Sequence, residues 1–408
     1  MLSSPTLSLS TWFLSHMDDL VVALFVFAFG ACVGSFLNVV AHRMPTGRSV
    51  VSPPSRCPRC GWRLTWHENL PVLGWLLLRG RCRRCRGRIS VQYPLVELLV
   101  GVMFAGSFLV FFAAPDTGWI SEIGGRWWRL GGFGGAWPAF TVLMTMVGAL
   151  IIATMIDAKT FLIPAAITNV MILVALPAWL VQGLLPVRPA VELLEIEGRG
   201  PLPQVGWQAL AVVAGAGIGN LVAITLLQAR VIPRSFADYD DFVTDDAPLA
   251  EYPHGRREMG KELLFLLPIL LGAVIGWAFA GTDPSPPPRW LEFVGSSLLG
   301  FLVGGGVVWL VRILGTLAFG REAMGMGDVH LLAGVGAALG WADPLRVFFL
   351  APFLALAWIA ATRLISRVGG RGLGELPYGP HLAVTTLVVV YARPFVEQLE
   401  AALFTPPG

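Results

Sequence analysis

Two aspartates at the ends of apolar runs are the residues best placed to do chemistry: Asp157, in Met155-Ile156-Asp157-Ala158-Lys159, and Asp328, in Gly325-Met326-Gly327-Asp328-Val329-His330. An isolated carboxylate is costly beside lipid hydrocarbon, so one kept at the end of a membrane segment is a functional candidate. A pair is what a water-activating protease requires. One carboxylate takes the water's proton while the other donates to the peptide carbonyl, and the titration belongs to the pair. Gly325 and Gly327 lack a Cβ and let the backbone bend or pack closely. Asp328 also heads a short apolar run, where a helix N-terminus favours its charge. Asp157 is followed by Pro164, which suits the first turn of the next helix. For either aspartate alone, an interfacial residue is the blander account; two at one face, one of them in a Gly-x-Gly-Asp setting, favour chemistry. Glu97 is a third acid, equally suited to capping its own helix, and is not ranked as catalytic.

A second constellation is Cys57-Pro58-Arg59-Cys60 and Cys82-Arg83-Arg84-Cys85. Two Cys-x-x-Cys knuckles supply four thiolates, enough to close a tetrahedral zinc shell with no open position, which makes the site structural rather than catalytic. Disulfides are the alternative, and a reducing compartment argues against them. His67 is a weaker candidate ligand, and Cys32 reads as packing.

The elements that must position these groups are membrane helices. The chain has 408 residues, 55% apolar and 13% charged, about half the charge of an ordinary soluble domain. Apolar runs fall near 20–40, 93–114, 139–156, 164–185, 208–229, 263–281, 291–312, 329–341, 346–362 and 381–397, the eighth being short. The fold class is therefore an all-α polytopic membrane protein of about 8–10 transmembrane helices. The first run has no basic residues before it, so it reads as an anchor rather than a cleaved signal. Segment 41–91 holds 11 arginines against one acid, Glu68, and the positive-inside rule assigns it to the cytoplasm. Alternation then puts 115–138, 186–207 and 282–290 outside, and 230–262, 313–328 and 363–380 inside, together with both aspartates. Arg230, Arg234, Arg256, Arg257, Lys261, Arg312, Arg321, Arg363, Arg367 and Arg371 agree with that topology. The arginines beside the cysteines could suggest nucleic acid, but the topology already explains them, and no nucleic-acid partner is expected. The only low-complexity stretch is 284–288.

Several blocks together resemble the type IV prepilin peptidase family of membrane aspartic proteases. They are Gly34-Ser35-Phe36-Leu37-Asn38, His42-Arg43-Met44-Pro45, the two cysteine knuckles, Glu68 to Trp75, Tyr93 to Leu98, Ile156 to Pro164, Gly325 to Asp328, and Tyr378-Gly379-Pro380-His381-Leu382-Ala383. The resemblance implies that Asp157 and Asp328 are catalytic, with Gly325 and Gly327 as motif support, and that Cys57, Cys60, Cys82 and Cys85 hold the metal. It implies prepilin or pseudopilin substrates cut at the cytoplasmic face of the bacterial inner membrane. It also implies a bilayer setting, pilus or type II secretion components as partners, and N-methylation of the new terminus with S-adenosylmethionine. No residue binding that cofactor is identified, and no glycine-rich dinucleotide fingerprint is present. His330 stands where the family commonly has Lys, and at i+2 it points away from Asp328. Ala165 replaces a usual polar residue.

The organisation expected is an anchor at 1–40, a zinc-binding loop subdomain at 41–92, helices with the first aspartate at 93–185, an insertion with two extra helices at 186–290, and helices with the second aspartate at 291–408. The insertion's acidic loop, with Asp238, Asp240, Asp241, Asp245 and Asp246, reads as solvated, with a docking surface as the sharper alternative. Rival functions are a peptidase without methyltransferase activity, an ion- or proton-coupled transporter, and a zinc-dependent assembly factor without catalysis.

Overall fold

The computed structural model describes residues 17–114, 118–242, 252–281, 285–369 and 377–404. Asp245, Asp246, Arg371 and the first residue of the 284–288 stretch lie outside them. The long apolar runs become helices because a backbone in hydrocarbon must satisfy its own hydrogen bonds. They are α1 (Met17–Arg43), α2 (Gln92–Phe108, continued by a π-helical turn over Leu109–Ala113), α3 (Trp119–Thr160) and α4 (Ala165–Leu184). A short α5 (Pro189–Ile196) precedes α6 (Trp207–Gln228) and α7 (Gly255–Phe279). Then follow α8 (Arg289–Phe319), α9 (Met326–Leu339), α10 (Ala342–Gly369), α11 (Gly379–Tyr391) and α12 (Arg393–Phe404).

Among the described residues eight helices are long and apolar enough to cross a membrane, and a ninth crossing would join α11 to α12 across a 93° bend. The expected run at 381–397 therefore breaks at Tyr391, because Pro394 cannot continue the hydrogen-bond ladder. The run at 329–341 is the 14-residue α9. Residues 119–138 are helical rather than loop, interrupted where Gly125 and Gly132 take left-handed φ of 68° and 63°. They are ordered by packing: Trp127 is 2% exposed, and its indole N–H donates to Glu195 of α5 at 2.8 Å.

Glycine sets how closely the helices cross. On α8, Gly300 and Gly304 lie against the backbone of Gly336 and Leu332 on α9, with no room for a Cβ. In segment 186–290, Gly215 and Gly219 of α6 face Gly272 and Pro268 of α7 in the same way. This small-residue seam is the usual means by which membrane helices associate without a hydrophobic driving force. The two helices of this segment thus form a hairpin, which packs on α8. The segment that joins its two helices is not simply solvated. Phe236, Tyr239, Phe242, Tyr252 and His254 form a ring cluster, with ring centroids of contacting pairs 5.2–6.0 Å apart, and the Tyr252 hydroxyl donates to Asp238 at 2.6 Å. At the other end of the bundle Arg289 of α8 grips Glu195 at 2.7 and 2.9 Å and donates to the carbonyls of Gln182 and Leu185, closing the exposed end of α4.

Candidate active site and metal centre

Asp157 lies one turn from the end of α3, and it is 5% exposed. The chain leaves α3 through Phe161, whose left-handed φ of 55° lets its N–H close on the Asp157 carbonyl at 2.9 Å. Pro164 is the N-cap of α4, one residue before its expected first-turn position. Asp328 sits at the third position of α9, after the Gly325 N-cap, and its N–H donates to the Gly325 carbonyl at 3.2 Å.

The two helix ends meet. A Cβ on Gly327 would stand 2.9 Å from the Cβ of Ile163, in the turn that follows Asp157. Asp157 and Asp328 therefore stand on adjoining helix ends. The third wall is the N-terminus of α11. There the Gly379 N–H donates to Asp157 Oδ2 at 3.0 Å, and a Cβ on Gly379 would fall 2.6 Å from that oxygen and 2.9 Å from Ile163 Cδ1. Each carboxylate therefore rests at a helix N-terminus, whose partial positive charge offsets the cost of holding two acids together. Gly325 and Gly327 fall where the sequence puts them. Gly379 and Ile163 belong to recognised blocks but gave no sign of a role, since a backbone N–H leaves no side-chain signature.

The short length of α9 recesses this site. Gly304 of α8 lies against Leu332 of α9, while α8 runs on to Phe319. At 1.5 Å per residue Asp328 lies about 15 Å inward of the end of α8. Arg312, expected at the edge of a loop, is inside α8 and 2% exposed.

The four cysteines converge. Their sulfurs all lie within 4.8 Å of one another, with Cys57 to Cys85 at 3.8 Å and Cys60 to Cys82 at 4.0 Å. A tetrahedral zinc–thiolate centre with bonds of about 2.3 Å has sulfur edges of about 3.8 Å, so the donor set fits. The two knuckles repeat one turn. Cys57 N–H donates to Trp62 and Gly61 N–H to Cys57, while Cys82 N–H donates to Gly87 and Arg86 N–H to Cys82, all at 2.8–2.9 Å. Burial raises the Cys57 thiol, but backbone N–H groups of Cys60 and Arg59 outweigh it and bring it down to about 7. His67 is not among the four; its Nε2 contacts Thr65 and Arg83. Glu97 does not cap its own helix. It reaches across to accept the Val72 N–H at 2.7 Å, at the start of the Leu73–Leu77 turn, and so ties the cysteine loop to α2.

Residues 28–111 match the model for the Bacterial Peptidase A24 N-terminal domain, and residues 263–360 match that of the Type IV leader peptidase family. A prepilin leader peptidase/N-methyltransferase of Aeromonas salmonicida (strain A449) is 34% identical over 384 residues, covering 88% of this chain and 87% of that protein. A protein of the same name from Myxococcus xanthus (strain DK1622) is 54% identical over 101 residues, 25% of this chain and 28% of that one. Another from Neisseria gonorrhoeae is 32% identical over 186 residues, 40% of this chain and 57% of that one. The chain thus spans less than two thirds of the length of the last two. None of these three carries a transporter's name, and the transporter alternative finds no support. No solved structure matches the chain.

Proposed function

Because the chain belongs to the type IV leader peptidase family, we propose that it is a membrane aspartic endopeptidase that removes the leader of prepilin-like substrates, with Asp157 and Asp328 as the reacting pair. The observation that carries this reading is the meeting of three elements at one point: the start of α9 packs on Ile163 after α3, and the Gly379 N–H of α11 holds Asp157. Water held between the carboxylates gives a proton to the ionised member as its oxygen adds to the peptide carbonyl carbon. The protonated member donates to the carbonyl oxygen. Collapse of this gem-diol breaks the C–N bond: one hydroxyl returns its proton to the carboxylate that had donated, and the leaving amine takes the proton first removed from water. The chemistry is symmetric enough that neither aspartate need be the fixed base.

In this reading residues 41–92 form a structural zinc subdomain, and Cys57, Cys60, Cys82 and Cys85 hold the ion as thiolates. Residues 93–185 and 291–408 carry the two aspartates, and 186–290 is an insertion. The arginine-rich loop faces the cytoplasm, and alternation of the spans puts the aspartate pair at the same face of the inner membrane. There the pair meets a substrate with a basic leader and an apolar helix, supplied by a pilus or type II secretion assembly. Methylation of the new terminus from S-adenosylmethionine is the second half of the proposal, supported by the names the relatives carry. The test is cleavage of a co-expressed prepilin by wild type, Asp157→Asn and Asp328→Asn, with membrane levels compared and the product's N-terminal mass recorded. Both substitutions should abolish processing at unchanged abundance. Normal processing by both would make the carboxylates merely interfacial, and a product lacking the mass of a methyl group would remove the second activity.

A further inference from the structure

The turn that delivers Asp328 has little means of holding itself. Between Gly320 and Asp328 stand Gly325 and Gly327, and glycine gives up more conformational freedom on ordering than any other residue. An aspartate that must meet another carboxylate within a fraction of an ångström needs a restraint from outside the turn.

Arg312 supplies one. Its guanidinium is buried beside α8, where Nη1 donates to the Met324 carbonyl, directly before Gly325, and pairs with the Glu322 carboxylate. The opposite edge of the fork faces Glu262 of α7, with Nη2 at 3.2 Å and Nε at 3.4 Å. Glu262 is 3% exposed and held in turn by the Trp309 indole N–H at 2.6 Å. The Phe236 ring covers the guanidinium at 5.3 Å, and its own backbone N–H is fixed by Glu258 at 2.6 Å. The Ala323 N–H adds a second tether, to Thr316 Oγ1 at 3.1 Å.

Resting on the peptidase reading above, we propose that Arg312 is a positioning residue through which Glu262 of the α6–α7 hairpin holds the Met324 carbonyl and thereby the turn that carries Asp328. The hairpin then belongs to the catalytic scaffold rather than sitting beside it. Lysine cannot replace the fork, because one ammonium cannot span Glu262 and the Met324 carbonyl in fixed directions.

The test is steady-state cleavage of a prepilin by wild type, Arg312→Lys, Glu262→Gln, the double variant Arg312→Met/Glu262→Met, and Asp328→Asn, with thermal midpoints measured in detergent. Glu262→Gln is isosteric and keeps an acceptor for Trp309, so it carries the test even if the double variant inserts poorly. Arg312→Lys and Glu262→Gln should lower kcat roughly 10- to 100-fold, the scale of an ångström-sized misplacement, with KM unchanged. Removing Arg312 and Glu262 together leaves neither of these two charges buried without the other, so the double variant should have a higher midpoint than a single loss of charge, even with Glu322 and the Trp309 N–H left to other partners, but should not recover its kcat. Recovery of kcat together with stability, or wild-type kcat in Glu262→Gln, would overturn the proposal and leave Arg312 a brace. Wild-type cleavage by Asp328→Asn would instead sink the peptidase reading, which the same assay separates from the inference.

Discussion

Gly379→Ala is the sharpest probe of the carboxylate pair, because it adds one methyl group at a defined place. That Cβ would stand 2.6 Å from Asp157 Oδ2 and 2.9 Å from Ile163 Cδ1. Gly379 has no left-handed φ, so the backbone accepts alanine and the effect is steric. Non-bonded contacts are comfortable only near 3.5 Å, so the carboxylate or the start of α11 must give by about 0.5–1 Å. Movement of that size stretches the 3.0 Å bond from the Gly379 N–H and misaligns Asp157 against Asp328. An error of about 1 Å in a reacting group costs as much as 100-fold, and a 10- to 100-fold loss corresponds to about 1.4–2.7 kcal/mol in the barrier. The assay is kcat for prepilin cleavage in detergent, with membrane abundance and thermal midpoint measured alongside. Gly306→Ala in α8 is the control, since its Cβ would meet nothing within 4 Å, and it should cleave normally. A Gly379→Ala enzyme with wild-type kcat at equal abundance would refute the reasoning: either α11 does not hold Asp157 or Asp157 does not react.

Other outcomes follow from the cysteine loop. The purified protein should carry one zinc ion per chain, measured by elemental analysis, and lose it more readily as pH falls, because protons compete for the thiolates; full metal content in Cys57→Ser/Cys82→Ser would refute the site. Glu97→Ala should free the Val72 N–H and loosen the loop by about 1.5–3 kcal/mol, the usual worth of a hydrogen bond to a charged group. Limited proteolysis within residues 48–91 should then become faster, and an unchanged cleavage pattern would show that Glu97 does not anchor the loop.

How much of this was legible in the sequence depended on whether a role is carried by a side chain at a fixed spacing. Asp157, Asp328 and the four cysteines are of that kind: the structure gathers the four sulfurs and packs the helix ends that carry the two aspartates. The Gly379 N–H is not, because any residue but proline offers the same donor, and only the approach of α11 to Asp157 singles it out. Arg312 was legible as a charge but misread in kind. Counted with the cytoplasmic arginines it supports the topology, yet its burial and its fork to Glu262 and Met324 are products of tertiary packing. Residues 119–138 look like a polar loop because Arg126 and Arg129 interrupt the apolar residues, and the burial of Trp127 against α5 overrides that local pattern.

The shortness of α9 and α11 has a consequence for the surrounding lipid. Helices of 14 and 13 residues are about 20 Å long, against a hydrocarbon core of about 30 Å. Their neighbours α3 and α8 are long enough to span it. Helix α9 is buried among its neighbours, but Val384 and Val388 of α11 are exposed, so a bilayer that matches this short face would thin beside the aspartate pair. Such thinning would bring water to the boundary of a substrate helix, where the proposed cleavage takes place. Turnover should accordingly fall as the bilayer thickens, and equal rates in vesicles of short-chain and long-chain phosphatidylcholine would argue that no thinning takes place.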